Sequence, residues 1–282
     1  MRLPVIAARL HAEWLALRAA APMIAVLASL LLWAAPAAAQ TQAWPDSPKL
    51  SGNAFLPPGL RKLQDESATS PIALWLDKGR ALWADSSSGP SCQSCHASVE
   101  SLKNAAATHP RLAANGQRLI NLEDQIITCS ARTGRLGATQ TNPENDDVLA
   151  LSAVLHDAAK GVPMDVRPAP GQAAQWQALL GQGAQRFATR LGRMNLACVH
   201  CHEQNVGRQM RTDVVSPGHP TGFPVYRMGW QRLGSLERRL RACYSGVQAV
   251  LPPPGAAELR ELELYLKVRA SGMPIEGPSI RR

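Results

Sequence analysis

Two stretches of this chain have the pattern Cys-x-x-Cys-His: Cys92-Gln-Ser-Cys95-His96 and Cys198-Val-His-Cys201-His202. The spacing sets two thiols about one helical turn apart, with an imidazole directly after the second. That is the attachment site of a c-type haem. The thiols add across the haem vinyl groups, and the imidazole takes the iron. The rival is half of a zinc site, which would want further paired Cys or His ligands. Two copies in matching places of one chain favour haem. Cys92, Cys95, Cys198 and Cys201 are therefore expected to hold two covalent haem c groups, with His96 and His202 as proximal iron ligands.

Two cysteines remain. Cys129 lies 33 residues after His96, and Cys243 lies 41 after His202. In an oxidising compartment the default fate of two spare thiols is a disulfide. A disulfide needs proximity; it gives no reason for equivalent placement after each motif. Distal iron ligation does, so Cys129 and Cys243 are expected on the first and second haem iron. A methionine thioether, which raises the potential, is the alternative. Met164 in the first half and Met210, Met228 and Met273 in the second are available. None repeats, since Met164 aligns with Ile275 and Met273 with Val162. His109, His156, His200 and His219 are the imidazole rivals. A thiolate holds ferric iron at low potential, which points to sulfur chemistry or to a structural haem.

The two halves differ just before the spare cysteine. The eight residues ahead of Cys129 hold two carboxylates and no cation, whereas Arg238, Arg239 and Arg241 precede Cys243. Arg239 stands four residues before Cys243 and shares its helix face; its counterpart is Gln125. A guanidinium binds an oxyanion through two parallel hydrogen bonds, and its charge favours a nearby thiolate. Arg239 and Cys243 are thus the expected catalytic pair. The first haem is expected to be a relay or a structural relic. Arg238 and Arg241 also fit a solvated basic face.

The elements that must position these residues recur in order. Ser70 and Pro71 open a helix with Trp75 and Trp83 at helical spacing. Asn121 caps a helix through Cys129, Asp146 and Asp147 open another, and Gly161 ends it. Val162 to Ala173 is rich in proline and reads as a linker. The cycle then repeats: a helix over Trp176–Leu191, the second motif, a helix from Ser235 through Cys243, and a last helix over Ala257–Ala270 with Leu259, Leu262 and Leu266 on one face. Gly79 and Trp83 match Gly183 and Phe187. Asn121-Leu-Glu matches Ser235-Leu-Glu, and Gly161-Val-Pro-Met164 matches Gly272-Met-Pro-Ile275. Helix, motif, helix, helix is the order of a class I cytochrome c domain, whose outer helices cross closely. The fold expectation is all-α: two tandem cytochrome c-like domains related by internal duplication, over residues 70–165 and 166–282. No helix cap is evident directly after His202, and residues 203–234 read as a long polar segment with Gly and Pro.

Residues 1–39 read as a cleaved secretory leader. Arg2, Arg9 and Arg18 precede an apolar run from Ala21 to Ala35, and Ala37-Ala38-Ala39 is a small-residue cleavage site. The apolar run is short of the ~20 residues needed for a span. Residues 40–69 are rich in Pro, Ser, Gly and Asn and read as an extended arm. Export to the periplasm agrees with covalent haem attachment. The leader holds three Arg and one Glu, so removing it lowers the net charge from +9 to +7. With export, a basic surface favours an acidic protein partner or a small anion over nucleic acid.

The two motifs, Arg239-Leu-Arg-Ala-Cys243 and the closing Leu264-Tyr-Leu-Lys-Val-Arg-Ala-Ser-Gly-Met-Pro-Ile-Glu276 together resemble the SoxA family of SoxAX cytochromes. The resemblance spans nearly the whole chain after the leader and matches the two-haem members. It implies an L-cysteine S-thiosulfotransferase that joins thiosulfate oxidatively to a cysteine of the carrier protein SoxYZ. Two electrons would leave through haem to a small cytochrome c. It further implies that Cys243 ligates iron and carries the sulfur adduct or a persulfide, that Arg239 is an active-site residue, and that a monohaem SoxX subunit completes a heterodimer. Thiosulfate dehydrogenase forming tetrathionate, and a plain dihaem electron carrier, are the alternatives.

Overall fold

Caps and apolar stripes put helices where the sequence expects them. The computed structural model describes residues 49–66, 70–134 and 142–282. The expected leader, and residues 40–48 and 67–69 of the expected arm, lie outside the described residues. In chain order the elements are α1 (Pro58–Asp65), α2 (Ile72–Ala84), α3 (Cys92–Cys95), α4 (Ala105–Thr108), β1 (Arg111–Leu112), β2 (Leu119–Ile120), α5 (Leu122–Arg132), α6 (Asp146–Ala158), α7 (Ala173–Ala188), α8 (Cys198–His202), β3 (Gln209–Met210), β4 (Asp213–Val214), β5 (Val225–Arg227), β6 (Arg232–Gly234), α9 (Leu236–Gly246), α10 (Ala257–Arg269) and β7 (Ser279–Arg281). Asn121 and Asp124 cap α5 reciprocally, each side chain taking the other's backbone N–H. Ser235 accepts from the Arg238 N–H at the start of α9.

Two helix pairs form the frame, α2 with α6 and α7 with α10, and each crosses at a glycine. A Cβ on Gly79 would lie 2.3 Å from the Ala150 carbonyl oxygen of α6. A Cβ on Gly183 would lie 2.2 Å from the Glu261 carbonyl oxygen of α10. Backbones this close exclude any side chain at the crossing. Phe187, one turn after Gly183, is fully buried and packs on Tyr265 with ring centroids 5.3 Å apart.

The matching segments 161–164 and 272–275 pair with each other. The Gly161 N–H donates to Ile275 O (2.9 Å) and the Gly272 N–H to Met164 O (2.9 Å). The Met164 N–H donates to Met273 O (2.9 Å) and the Ile275 N–H to Val162 O (3.0 Å). Interchanging the two segments maps each bond onto its counterpart, with Pro163 opposite Pro274 at the centre. The start of the expected linker is thus a ladder, because proline fixes an extended backbone whose neighbours can still pair. Met164 and Met273 join Trp83, Leu151, Trp176, Leu264 and Ile275 in one hydrophobic core. Asp46–Arg282 forms a single compact unit.

The expectation of a purely helical fold needs correction. The fold is mostly helical, but seven strands of two or three residues accompany the helices among the described residues. β3 and β4 form one antiparallel pair, and β5 lies between antiparallel β6 and parallel β7. Strands this short leave no alternating pattern to read, so residues 203–234 read in the sequence only as a long polar segment. The arm is not simply extended either. It contains α1, and Gln64 Oε1 accepts the Ile280 N–H of β7 (3.0 Å). Helix α10 departs from the expected single apolar face, since every residue from Leu259 to Lys267 is buried, including Arg260, Glu261, Glu263 and Lys267.

Candidate active site

The second motif begins at a turn set by its own histidine, as His200 Nδ1 accepts the Ala197 N–H (2.9 Å). The partly buried His202 then donates through Nδ1 to the Ser216 carbonyl oxygen (2.8 Å). Gly218 sits over the ring with φ +78°, and a Cβ there would meet His202 Nδ1 at 3.0 Å. The carbonyl fixes the tautomer and leaves Nε2 as the nitrogen with a lone pair. Burial, with Arg239 and Arg269 nearby, lowers the His202 pKa and keeps the imidazole neutral. A neutral, oriented imidazole directly after two thiols on one turn fits a covalently attached haem.

Helix α9 brings Cys243 to the same place. Burial pushes the Cys198 thiol up to about 12, with the charge of Cys243 next in effect, and Cys201 is raised by the same two causes. Both thiols therefore feel Cys243. Burial and the neighbouring Arg239 lower the Arg227 pKa, opposed by Asp213 and Cys243. Arg239, Arg227, His202 and Cys243 thus share one electrostatic neighbourhood.

The surrounding arginines divide the work. Arg238 ion-pairs with Glu144 (3.8 Å) and lies over the Trp230 ring (4.5 Å). Arg241 Nε donates to the Pro252 carbonyl (3.0 Å). Arg227 pairs with Asp213 (3.5 Å) and also covers Trp230 (5.3 Å). Among the described residues Arg239 has no carboxylate partner, so its charge stays available to an anion. Arg227 and Trp230, on and beside the β5–β6 hairpin, complete the basic wall. Sequence reasoning missed both, because strands of three residues leave no period to read. Arg269, also missed, bonds to Pro217 O (3.2 Å) and Glu203 (3.1 Å) beside the second motif.

The first motif is built differently. Ser91 caps α3 by accepting the Ser94 N–H (3.1 Å), and His96 lies 6.0 Å from Trp83, centroid to centroid. Cys129 is exposed on α5 and accepts a hydrogen bond from Gln125 Nε2 (3.0 Å). Arg111 of β1 in turn donates to Gln125 Oε1 (2.9 Å). A cation does approach this cysteine, but through an amide and from another element. No disulfide joins Cys129 to Cys243. Of the methionine candidates, Met164 and Met273 are buried and Met210 and Met228 exposed. Among the imidazole candidates, His109, His156 and His219 each commit Nδ1 to a backbone carbonyl. Among the described residues no group of three His, Cys, Asp or Glu is arranged to hold a metal ion, and no helix is long and apolar enough to cross a membrane.

Residues 78–164 match a family model described as the SoxA/TsdA cytochrome c domain. The match contains Cys92, Cys95 and His96, and haem c is the covalent cofactor of such a domain. The chain is 32% identical over 248 residues to the L-cysteine S-thiosulfotransferase subunit SoxA of Pseudaminobacter salicylatoxidans, covering 87% of this chain and 85% of that protein. It is 29% identical to the SoxA subunit of Rhodovulum sulfidophilum, with 82% and 79% covered. The crystal structure of SoxXA from P. pantotrophus superposes with a TM-score of 0.73 at 28% identity, covering 82% of this chain and 86% of that one. With these motifs, this helical frame and similarity along most of its length, the chain belongs to the SoxA family.

Proposed function

We propose that this chain is the dihaem subunit of a periplasmic L-cysteine S-thiosulfotransferase, with its reaction centre at Cys243. The observation that carries the proposal is Arg239 one turn before Cys243 on α9, without a carboxylate partner among the described residues, on the helix that brings Cys243 near the second Cys-x-x-Cys-His motif. Cys92 and Cys95 would hold the first haem c, with His96 and Cys129 as the residues available to its iron. Cys198 and Cys201 would hold the second, with His202 and Cys243 available to its iron. The two glycine crossings and the paired segments 161–164 and 272–275 support two duplicated cytochrome c-like halves, divided near residue 165.

Arg239 binds the sulfonate of thiosulfate by two hydrogen bonds, and Arg227 adds charge to the same wall. This holds the outer sulfur against the Cys243 sulfur. The new S–S bond gives a Cys243 S-thiosulfonate and releases two electrons. A bound haem c would supply the electron acceptor, and a small cytochrome c would take the electrons onward. The cysteine thiolate of a SoxYZ carrier then attacks the sulfur of the adduct next to the sulfonate. The carrier leaves with the thiosulfonate, and the Cys243 thiolate returns. The similar P. pantotrophus structure is of SoxXA, and we assign a SoxX partner here by that similarity.

Peptide mapping of the unreduced protein, with and without thiosulfate, tests the reading. The expected result is two haems and a thiosulfonate or persulfide mass on Cys243 alone. Sulfur carried on Cys129, or tetrathionate made without carrier, would overturn it.

A further inference from the structure

Each spare cysteine lies eight residues after the cap of its helix, Asn121 for α5 and Ser235 for α9. The N-termini of both helices meet one buried guanidinium. Arg260 of α10 is 3% exposed. Its Nε and Nη2 donate to Asp124 Oδ2 and Oδ1 at 2.8 and 3.0 Å, a two-pronged pair. Its Nη1 donates to Glu237. Asp124 is the third residue of α5 and is already part of that helix's cap. Glu237 is the second residue of α9, 1% exposed, and also accepts the Gly255 N–H (2.9 Å). Asn121 itself donates to Glu263, one turn along α10 from Arg260 (3.1 Å).

The arrangement is asymmetric. In the repeat the position of Arg260 matches Leu149, an apolar residue of α6. Only one half supplies the cation, and it serves both cysteine-bearing helices. A helix is stiff over two turns, so holding its first turn fixes the sulfur eight residues after the cap. Removing a partner from a buried ion pair leaves an uncompensated charge, so loss of Arg260 would loosen the first turn of both helices.

We propose that Arg260 is a shared positioning residue that sets the placement of Cys129 and Cys243 together, through Asp124 on one arm and Glu237 on the other. The inference rests on the reading of both cysteines as haem ligands, but half of its test does not depend on that reading.

The test uses the haem-loaded protein, four anchor variants and two cysteine variants that assign the signals. Amide hydrogen exchange is read over α5 and α9 by mass spectrometry, and the ferric haem signals by electron paramagnetic resonance, assigned with Cys129→Met and Cys243→Met. Asp124→Asn should speed exchange in α5 roughly hundredfold and change the first haem's signal alone. Glu237→Gln should do the same to α9 and the second haem alone. Arg260→Met should affect both helices and both signals, and Arg260→Lys, which keeps the charge without the fork, should restore both in part. If Arg260→Met does not accumulate as folded protein, the two single-arm variants decide. Unchanged exchange in both helices, or equal loosening of both from either single arm, overturns the proposal. A wild-type spectrum without thiolate-type signals would overturn the ligand reading, and the exchange data would still judge the anchor.

Discussion

At the residue scale the contrast between Arg239 and Gln125 separates the two halves. Both stand four residues before a cysteine. Gln125 donates to its cysteine sulfur and is itself bonded by Arg111, so this side chain is committed within the protein. Arg239 has no such commitment among the described residues. Arg239→Gln, which copies the first half, should lower kcat/KM for thiosulfate by roughly tenfold to hundredfold, the worth of hydrogen bonds to a charged group. Haem content should not change. Steady-state rates with carrier protein and cytochrome c, alongside the absorption spectrum, check this. A variant of wild-type rate would remove Arg239 from the site.

At the element scale two glycines of α7 make opposite predictions. Gly183 touches the Glu261 carbonyl of α10, whereas nothing lies within 4 Å of a Cβ on Gly181. Gly183→Ala should force the helices apart and cost about 2–3 kcal/mol, as overpacking does. Gly181→Ala should add about 0.5–1 kcal/mol by restricting the unfolded chain. Urea unfolding of both variants measures the difference. Equal effects of one sign would mean that the close crossing is not what constrains α7.

At the scale of the whole molecule, buried charged and polar groups lie beside the shared hydrophobic core. His156, buried in α6, is driven down from 6.5 to about 3, chiefly by burial and then by Lys267, while the Ser152 carbonyl opposes. Its neutral form stabilises the fold above pH 6.5. That stability is lost at about 1.4 kcal/mol per pH unit as the pH falls towards the folded value. Glu263 has the opposite sign. Burial raises it against the pull of Lys267 and Arg260, so its ionisation costs stability as the pH rises from 4.5. His156→Asn should flatten the acid side of a plot of Tm against pH, and Glu263→Gln the alkaline side. Scanning calorimetry from pH 4 to pH 8 checks both, and profiles parallel to wild type would place the pH dependence elsewhere.

The two Cys-x-x-Cys-His motifs, the spare cysteines, the caps at Asn121 and Ser235 and the glycine crossings were all legible in the sequence. Each is a local pattern, in which residue type and spacing alone set the chemistry or the helix end. The resemblance that named the family rests on the same short runs. The basic wall was only half legible, because Arg239 lies on the cysteine's own helix while Arg227 and Trp230 arrive on a hairpin too short to leave a period. Helix α10 read as amphipathic because Arg260, Glu261, Glu263 and Lys267 are charged. Only the tertiary structure surrounds it with partners for those charges: Arg186 for Glu261, Asp124 and Glu237 for Arg260, and Asn121 for Glu263. Burial of a charge depends on what the rest of the chain brings to meet it, and that is a property of the fold and not of the segment.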